Sequence, residues 1–207
     1  MIRDIISNDS LTLILFGSFF FIIILKKFEP NIFYQNLNFL KKESRNSLSN
    51  NLLGIKFIEI IYNILFVSNL SIILTFFNNQ TFSLIVFLEY FKILIVFFVL
   101  KILIEIIISK LFSLNKLIKN YIWLKIVFAN SLGLILLLFN FLIAYSGFYI
   151  HDLTIVLISL TLVYSIFSYL SIFFSMKKMI FKNWFYFILY LCTLEIIPYY
   201  YLIGNVL

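Results

Sequence analysis

Six apolar runs divide this chain, and Lys and Arg gather in every second gap between them. The runs cover residues 10–25, 52–77, 82–108, 122–145, 153–174 and 184–202. A helix needs roughly 20 apolar residues to cross a bilayer. The gaps at 26–51, 109–121 and 175–183 hold five, three and three Lys or Arg, whereas those at 78–81 and 146–152 hold none. Short loops rich in Lys and Arg stay on the cytoplasmic side. The pattern therefore places the three basic gaps inside and both termini outside, in the periplasm if the membrane is a bacterial inner one.

The formal charge of +7 follows the same division. Eleven Lys and Arg against Glu29 and Glu43 give the basic gaps +9, and Arg3 against Asp4, Asp9 and Asp152 gives the outer segments −2. Within the runs, Lys56, Lys92, Lys101 and Lys125 balance Glu59, Glu89, Glu105 and Glu195. The excess suits contact with anionic headgroups. It does not point to nucleic acid, because the bases do not cluster on one soluble domain.

Composition excludes an ordinary soluble fold, with 63% hydrophobic residues and a mean hydropathy of +1.09. Continuous apolar runs without alternation argue against a transmembrane barrel. The expected fold is an all-α, polytopic bundle of about six transmembrane helices forming a single transmembrane domain, residues 1–207. The first run is short enough to resemble a signal's apolar region. However, it lacks a net positive start and a small-residue cleavage site, so it reads as a retained span whose Lys26 and Lys27 snorkel to the interface. The 27 Phe accompany abundant Ile, Lys, Asn and Tyr and scarce Ala, the residue set of AT-rich codons. Tyr199, Tyr200 and Tyr201 stand where an interfacial aromatic belt belongs.

Two basic gaps carry amphipathic spacing. After Pro30, Phe33, Leu37 and Leu40 share one face and Gln35, Asn36, Asn38 and Lys41 lie elsewhere; Leu111, Leu114, Ile118 and Tyr121 repeat the pattern. Both read as short interfacial helices in cytoplasmic loops. The alternative is that each continues the neighbouring span.

The ionisable residues inside the runs are the candidates for function, since such a charge at mid-bilayer costs about 2.5–3.5 kcal/mol on insertion scales. Lys56 with Glu59, Glu89 with Lys92, and Lys101 with Glu105 are three or four apart, each pair on one helix face. Lys125 has no such neighbour and can reach headgroups, Glu59 or Glu105. Glu195 lies about 14 Å of helix before Gly204 and Lys92 about 16 Å below Thr81, which makes them matching partners across the bundle. Pro198 removes the hydrogen bond to the Leu194 carbonyl and kinks the helix beside Glu195. Structural ion pairs are the plainer reading of the set, and a relay through Glu195 is the functional one.

Other signals are sparse. Cys192 is the sole cysteine, and His151 the sole histidine, next to Asp152 in an outer gap. Two acceptor triplets for glycosylation, beginning at Asn8 and Asn79, are expected by chance in so Asn-rich a chain. No phosphate-cradling glycine loop or nucleophile elbow occurs, so no catalytic residue, cofactor or metal site is expected.

The stretch Phe185-Tyr-Phe-Ile-Leu-Tyr-Leu-Cys-Thr-Leu-Glu195-Ile-Ile-Pro198 is similar to the C-terminal signature of an uncharacterised Bacteroidota family of small polytopic inner-membrane proteins. Further likeness lies in Leu100-Lys101 through Glu105, and in Trp123-Leu-Lys125 with Asn130 and Gly133. It covers most of the chain after about residue 60, and departs from the family in lacking a proline near Asn140. The resemblance implies an inner-membrane location and draws attention to Lys101, Glu105, Lys125, Glu195 and Pro198. It implies no activity.

The expected function is non-enzymatic: a subunit or scaffold that binds membrane lipids or other membrane proteins. The alternative is a small transporter or ion-coupled subunit using Glu195, with an intramembrane enzyme ranking below both. The charge pattern makes topology testable. A cysteine at Ser44 or Ser113 should react with an impermeant thiol reagent only after the inner face is opened, and one at Asn79 should react in intact cells. Labelling of Ser44→Cys from outside would overturn the orientation.

Overall fold

A computed structural model describes residues 9–38, 57–79, 81–111, 115–145 and 150–182. Six helices account for all of these except residues 29 and 81–83: α1 (Asp9–Phe28), α2 (Pro30–Asn38), α3 (Phe57–Asn79), α4 (Leu84–Leu111), α5 (Asn115–Tyr145) and α6 (Ile150–Lys182). The sixth apolar run, residues 184–202, lies outside the described residues, as do the first five residues of the second.

Among the described residues, four helices are long and apolar enough to cross a membrane: α1, and the parts of α3, α5 and α6 at Glu59–Asn79, Asn120–Tyr145 and Asp152–Phe174. Of the five expected spans that the described residues reach, the one at 82–108 is not among them. α4 has 28 residues, about 42 Å of helix, yet every 18-residue stretch of it holds at least three of Glu89, Lys92, Lys101, Glu105 and Lys110. Its charge, rather than its length, sets it apart.

Each helix end follows from local chemistry. Asp9 opens α1 and Lys26 and Lys27 close it, both favourable to the helix dipole. Pro30 stands at the first position of α2, where its missing N–H costs nothing. Lys26 Nζ lies 5.1 Å from the centroid of the Phe33 ring and braces the α1–α2 joint. α2 packs against α1 and α5 together, so its covered side is centred on Ile32 and Asn36, with Phe33 only half-buried. Asn36, read from the sequence as part of the polar face, is thus buried.

The second expected interfacial helix does not exist as a separate element. Leu111 closes α4, while Ile118 and Tyr121 are buried in α5, and Leu114 lies outside the described residues. No glycine or proline interrupts the chain from Asn115 to Leu132, so the apolar period runs unbroken into the span. α6 likewise continues past residue 174 and carries Lys177, Lys178 and Lys182 on helix rather than loop.

α3 is the central helix, packed most extensively on α5 and also touching α1, α4 and α6. Its buried Ser71 and Thr75 hydroxyls donate to the Val67 and Ser71 carbonyls, 2.8 Å each, so polar atoms in the middle of the core are satisfied within their own helix. α3 and α4 form an antiparallel hairpin. Phe82 in the turn packs on Phe76 and Phe87, with centroids 6.0 and 5.8 Å apart, and the Asn78 amide donates to the Tyr90 hydroxyl. Edge-on Phe16 and Phe141, 5.8 Å apart, seat α1 on α5, and Phe128 with Tyr164, 6.2 Å apart, joins α5 to α6.

α3 and α5 run parallel. They approach closely at Gly133: a Cβ built there would lie 2.8 Å from both Cα and Cβ of Phe66. Small residues permit such approach in apolar surroundings, where van der Waals contact and hydrogen bonds hold helices together. Gly133→Ala should therefore destabilise the detergent-solubilised protein by about 1–3 kcal/mol, the usual range for overpacking. Gly17→Ala, where nothing lies within 4 Å, should leave thermal stability unchanged or raised. Equal behaviour of the two variants would contradict the close α3–α5 contact.

Candidate functional site

The charged residues gather near one end of the bundle, the end where α3 and α5 begin and α4 finishes. α3 brings Glu59, α4 brings Lys101 and Glu105, and α5 brings Trp123 and Lys125. Glu59, Lys101 and Glu105 are all nearly fully buried, at 3%, 4% and 0% exposure. Lys125 Nζ makes an ion pair with Glu105 Oε1, so of the three partners open to Lys125 in the sequence the structure shows Glu105. The Lys125 ammonium also lies 5.4 Å from the centroid of the Tyr121 ring, one turn earlier in α5.

Glu59 is held by α5. Trp123 Nε1 donates to its Oε1 at 3.0 Å, and the Asn130 amide donates to its backbone carbonyl at 3.2 Å. Ten residues further along both helices, the Asn140 amide donates to the carbonyl and to Oδ1 of Asn69, 3.0 Å each, while the Asn69 amide donates to the Leu65 carbonyl at 2.8 Å. These contacts fix both the parallel direction and the register of α3 on α5. Sequence reasoning had no place for Asn69, and met Asn130 and Trp123 only through a resemblance. The usable signal was the offset: Glu59 to Asn69 and Asn130 to Asn140 are each ten apart.

The remaining sequence candidates separate from this layer. Glu89 and Lys92 are exposed on α4, and the expected pairing of Lys92 with Glu195 falls on a residue outside the described ones. Lys56, Glu195 and Pro198 lie outside the described residues. Among the described residues, no three His, Cys, Asp or Glu side chains come together as metal donors.

Beside the charged layer is a cavity of about 80 Å³ between α3, α4, α5 and α6. Lys101 and Lys125 line it together with Asn63, Tyr164, Ser165 and Ser168. A space of this size and polarity can hold water. The Ser165 and Ser168 hydroxyls donate to the carbonyls of Thr161 and Ser165, 2.7 Å each, and turn their lone pairs outward. Glu59 and Glu105 do not line the cavity. Its charged lining is therefore cationic, with the compensating carboxylates set behind the wall.

Chemically, the arrangement can hold a negatively charged or hydrogen-bonding group against two ammonium-bearing side chains. The Glu105–Lys125 pair is open to a double-mutant cycle. Breaking a buried pair from one side costs about 3–5 kcal/mol, whereas removing both charges costs far less. Glu105→Gln should lower thermal stability in detergent, and Glu105→Gln with Lys125→Met should recover much of it. Additive losses would show that the two do not interact.

No curated protein and no solved structure matches this chain. A family model described as "Domain of unknown function (DUF4271)" matches residues 11–206. With nearly its whole length matched, the chain belongs to the DUF4271 family.

Proposed function

We propose that this protein is a non-enzymatic subunit or scaffold of the bacterial inner membrane, binding membrane lipids and other membrane proteins. The bundle end bearing Lys110, Lys177, Lys178 and Lys182 faces the cytoplasm in this reading, and both termini face the periplasm. The observation that supports it best is the contrast between inside and outside. Interior polar groups such as Trp123, Asn130, Asn140 and Lys125 bond to neighbouring helices and hold the bundle together. The outward sides of α4 and α6 are broad and apolar, and α4 adds the exposed Glu89 and Lys92 one turn apart. Charges within membrane spans almost always face protein or water. A charged pair on an apolar outer face is what a partner helix would cover.

A second reading, a small ion-coupled transporter, draws on the polar cavity between four helices, with Glu195 as its carboxylate. The two diverge on replacing Glu195 by Gln, which mimics the protonated acid. Ion or proton flux in vesicles would be lost if Glu195 is a relay, and vesicles carrying either form would behave alike if the protein is a scaffold.

The direct test of the scaffold is purification of the tagged full chain in mild detergent, with mass spectrometry of what accompanies it. Replacing Lys177, Lys178 and Lys182 by Gln should deplete bound partners or anionic lipid, while topology survives on the eight positive charges left in the other two basic gaps. Unchanged co-purification would overturn docking through that end.

A further inference from the structure

The lysine-lined cavity shares two wall residues with a larger apolar groove. Between α5 and α6 runs a groove of about 550 Å³, lined by Leu136, Phe139, Leu157, Leu160 and Phe167, within the usual 300–1,000 Å³ of ligand pockets. Leu132 and Tyr164 line both spaces, so the two are neighbours. α4 and α6 make no extensive contact with each other, so the polar cavity is open between them.

The two spaces lie end to end along the helices. On α5 the order is Lys125, Leu132, Phe139; on the antiparallel α6 it is Ser168, Tyr164, Leu157. The groove therefore starts at the charged layer and leads away from the lysine-rich end. From Phe167 to Leu157 it covers about 15 Å of helix, half of a hydrocarbon core of about 30 Å. A polar, cationic head-space next to an apolar groove one leaflet long matches an amphipathic anion.

We propose that this is a binding site for one anionic phospholipid of the inner leaflet, its phosphate held at Lys101 and Lys125 and an acyl chain laid along the α5–α6 groove. Basic pockets between transmembrane helices on the cytoplasmic side take such headgroups. The Asn63 amide supplies a further hydrogen-bonding group, and Leu160, half-exposed at the groove's side, is a wall that can be altered without touching a charge. The proposal rests on the membrane reading above but not on the presence of a protein partner.

Native mass spectrometry of the full chain, released from nanodiscs of equal phosphatidylglycerol and phosphatidylcholine, reads the site directly. The expected result is one retained phosphatidylglycerol in preference to phosphatidylcholine. Lys101→Gln should lower that preference about fivefold, given roughly 1 kcal/mol per lysine, and Lys101→Arg should keep it. Leu160→Trp should fill the groove and remove the retained lipid, with thermal stability in lipid-free detergent unchanged, which separates loss of the site from loss of the fold. Equal retention of the two lipids, or retention untouched by Leu160→Trp, would overturn the proposal. Inorganic phosphate that stabilises the protein as much as phosphatidylglycerol would also overturn it, by assigning the cavity to a free anion. Extraction of the protein from membranes by alkaline carbonate would instead mark failure of the membrane reading itself.

Discussion

The fold depends on the parallel contact between α3 and α5. Gly133 lets the two backbones meet at Phe66, and only at that separation can short side chains such as Asn130, Asn69 and Asn140 bridge from one helix to the next. In apolar surroundings a polar group without a partner is costly, so these bridges also exclude other registers. Everything else is arranged around this pair. α4 and α6 flank it, and α1 lies across α5 through aromatic edges.

Charge is handled differently at different places in the bundle. Glu59 and Glu105 are taken inside, where Trp123 and Lys125 each bond one carboxylate oxygen, whereas Glu89 and Lys92 stay on the outer side of α4. The inner set stabilises the helix packing. The outer set is exposed. The cavity at Lys101 and Lys125 is intermediate, since it is built from buried cations but opens between helices that do not close on one another.

The helical runs were legible because apolar length is a property of the local sequence. So was the grouping of Lys101, Glu105 and Lys125, whose cost in apolar surroundings demands company. Less legible was anything that depends on which helices are neighbours. The i, i+4 spacing of Ile118 and Tyr121 suits an interfacial helix as well as the first turns of a long span, and only the unbroken chain up to Gly133 separates them. Asn36 looks polar in the sequence, but α1 and α5 cover it from two sides. The depth match of Lys92 to Glu195 involves a residue outside those described, and depth alone does not say which way α4 is turned. The cavity and groove belong to spaces between helices, which no single segment encodes.

Because α3 and α5 are parallel, they cannot form as a hairpin. The chain must first complete α4 and return, so the bonds from Asn130 and Asn140 to Glu59 and Asn69 close loops of about 70 residues. Until α5 is in place, the α3–α4 hairpin holds Glu59 and Asn69 without those donors. The order of synthesis therefore imposes an interval in which the hairpin is a half-built, polar-sided intermediate. Its lifetime is set by how quickly the next thirty or so residues of the chain follow it, and assembly factors or neighbouring helices able to shield a carboxylate have that interval in which to act.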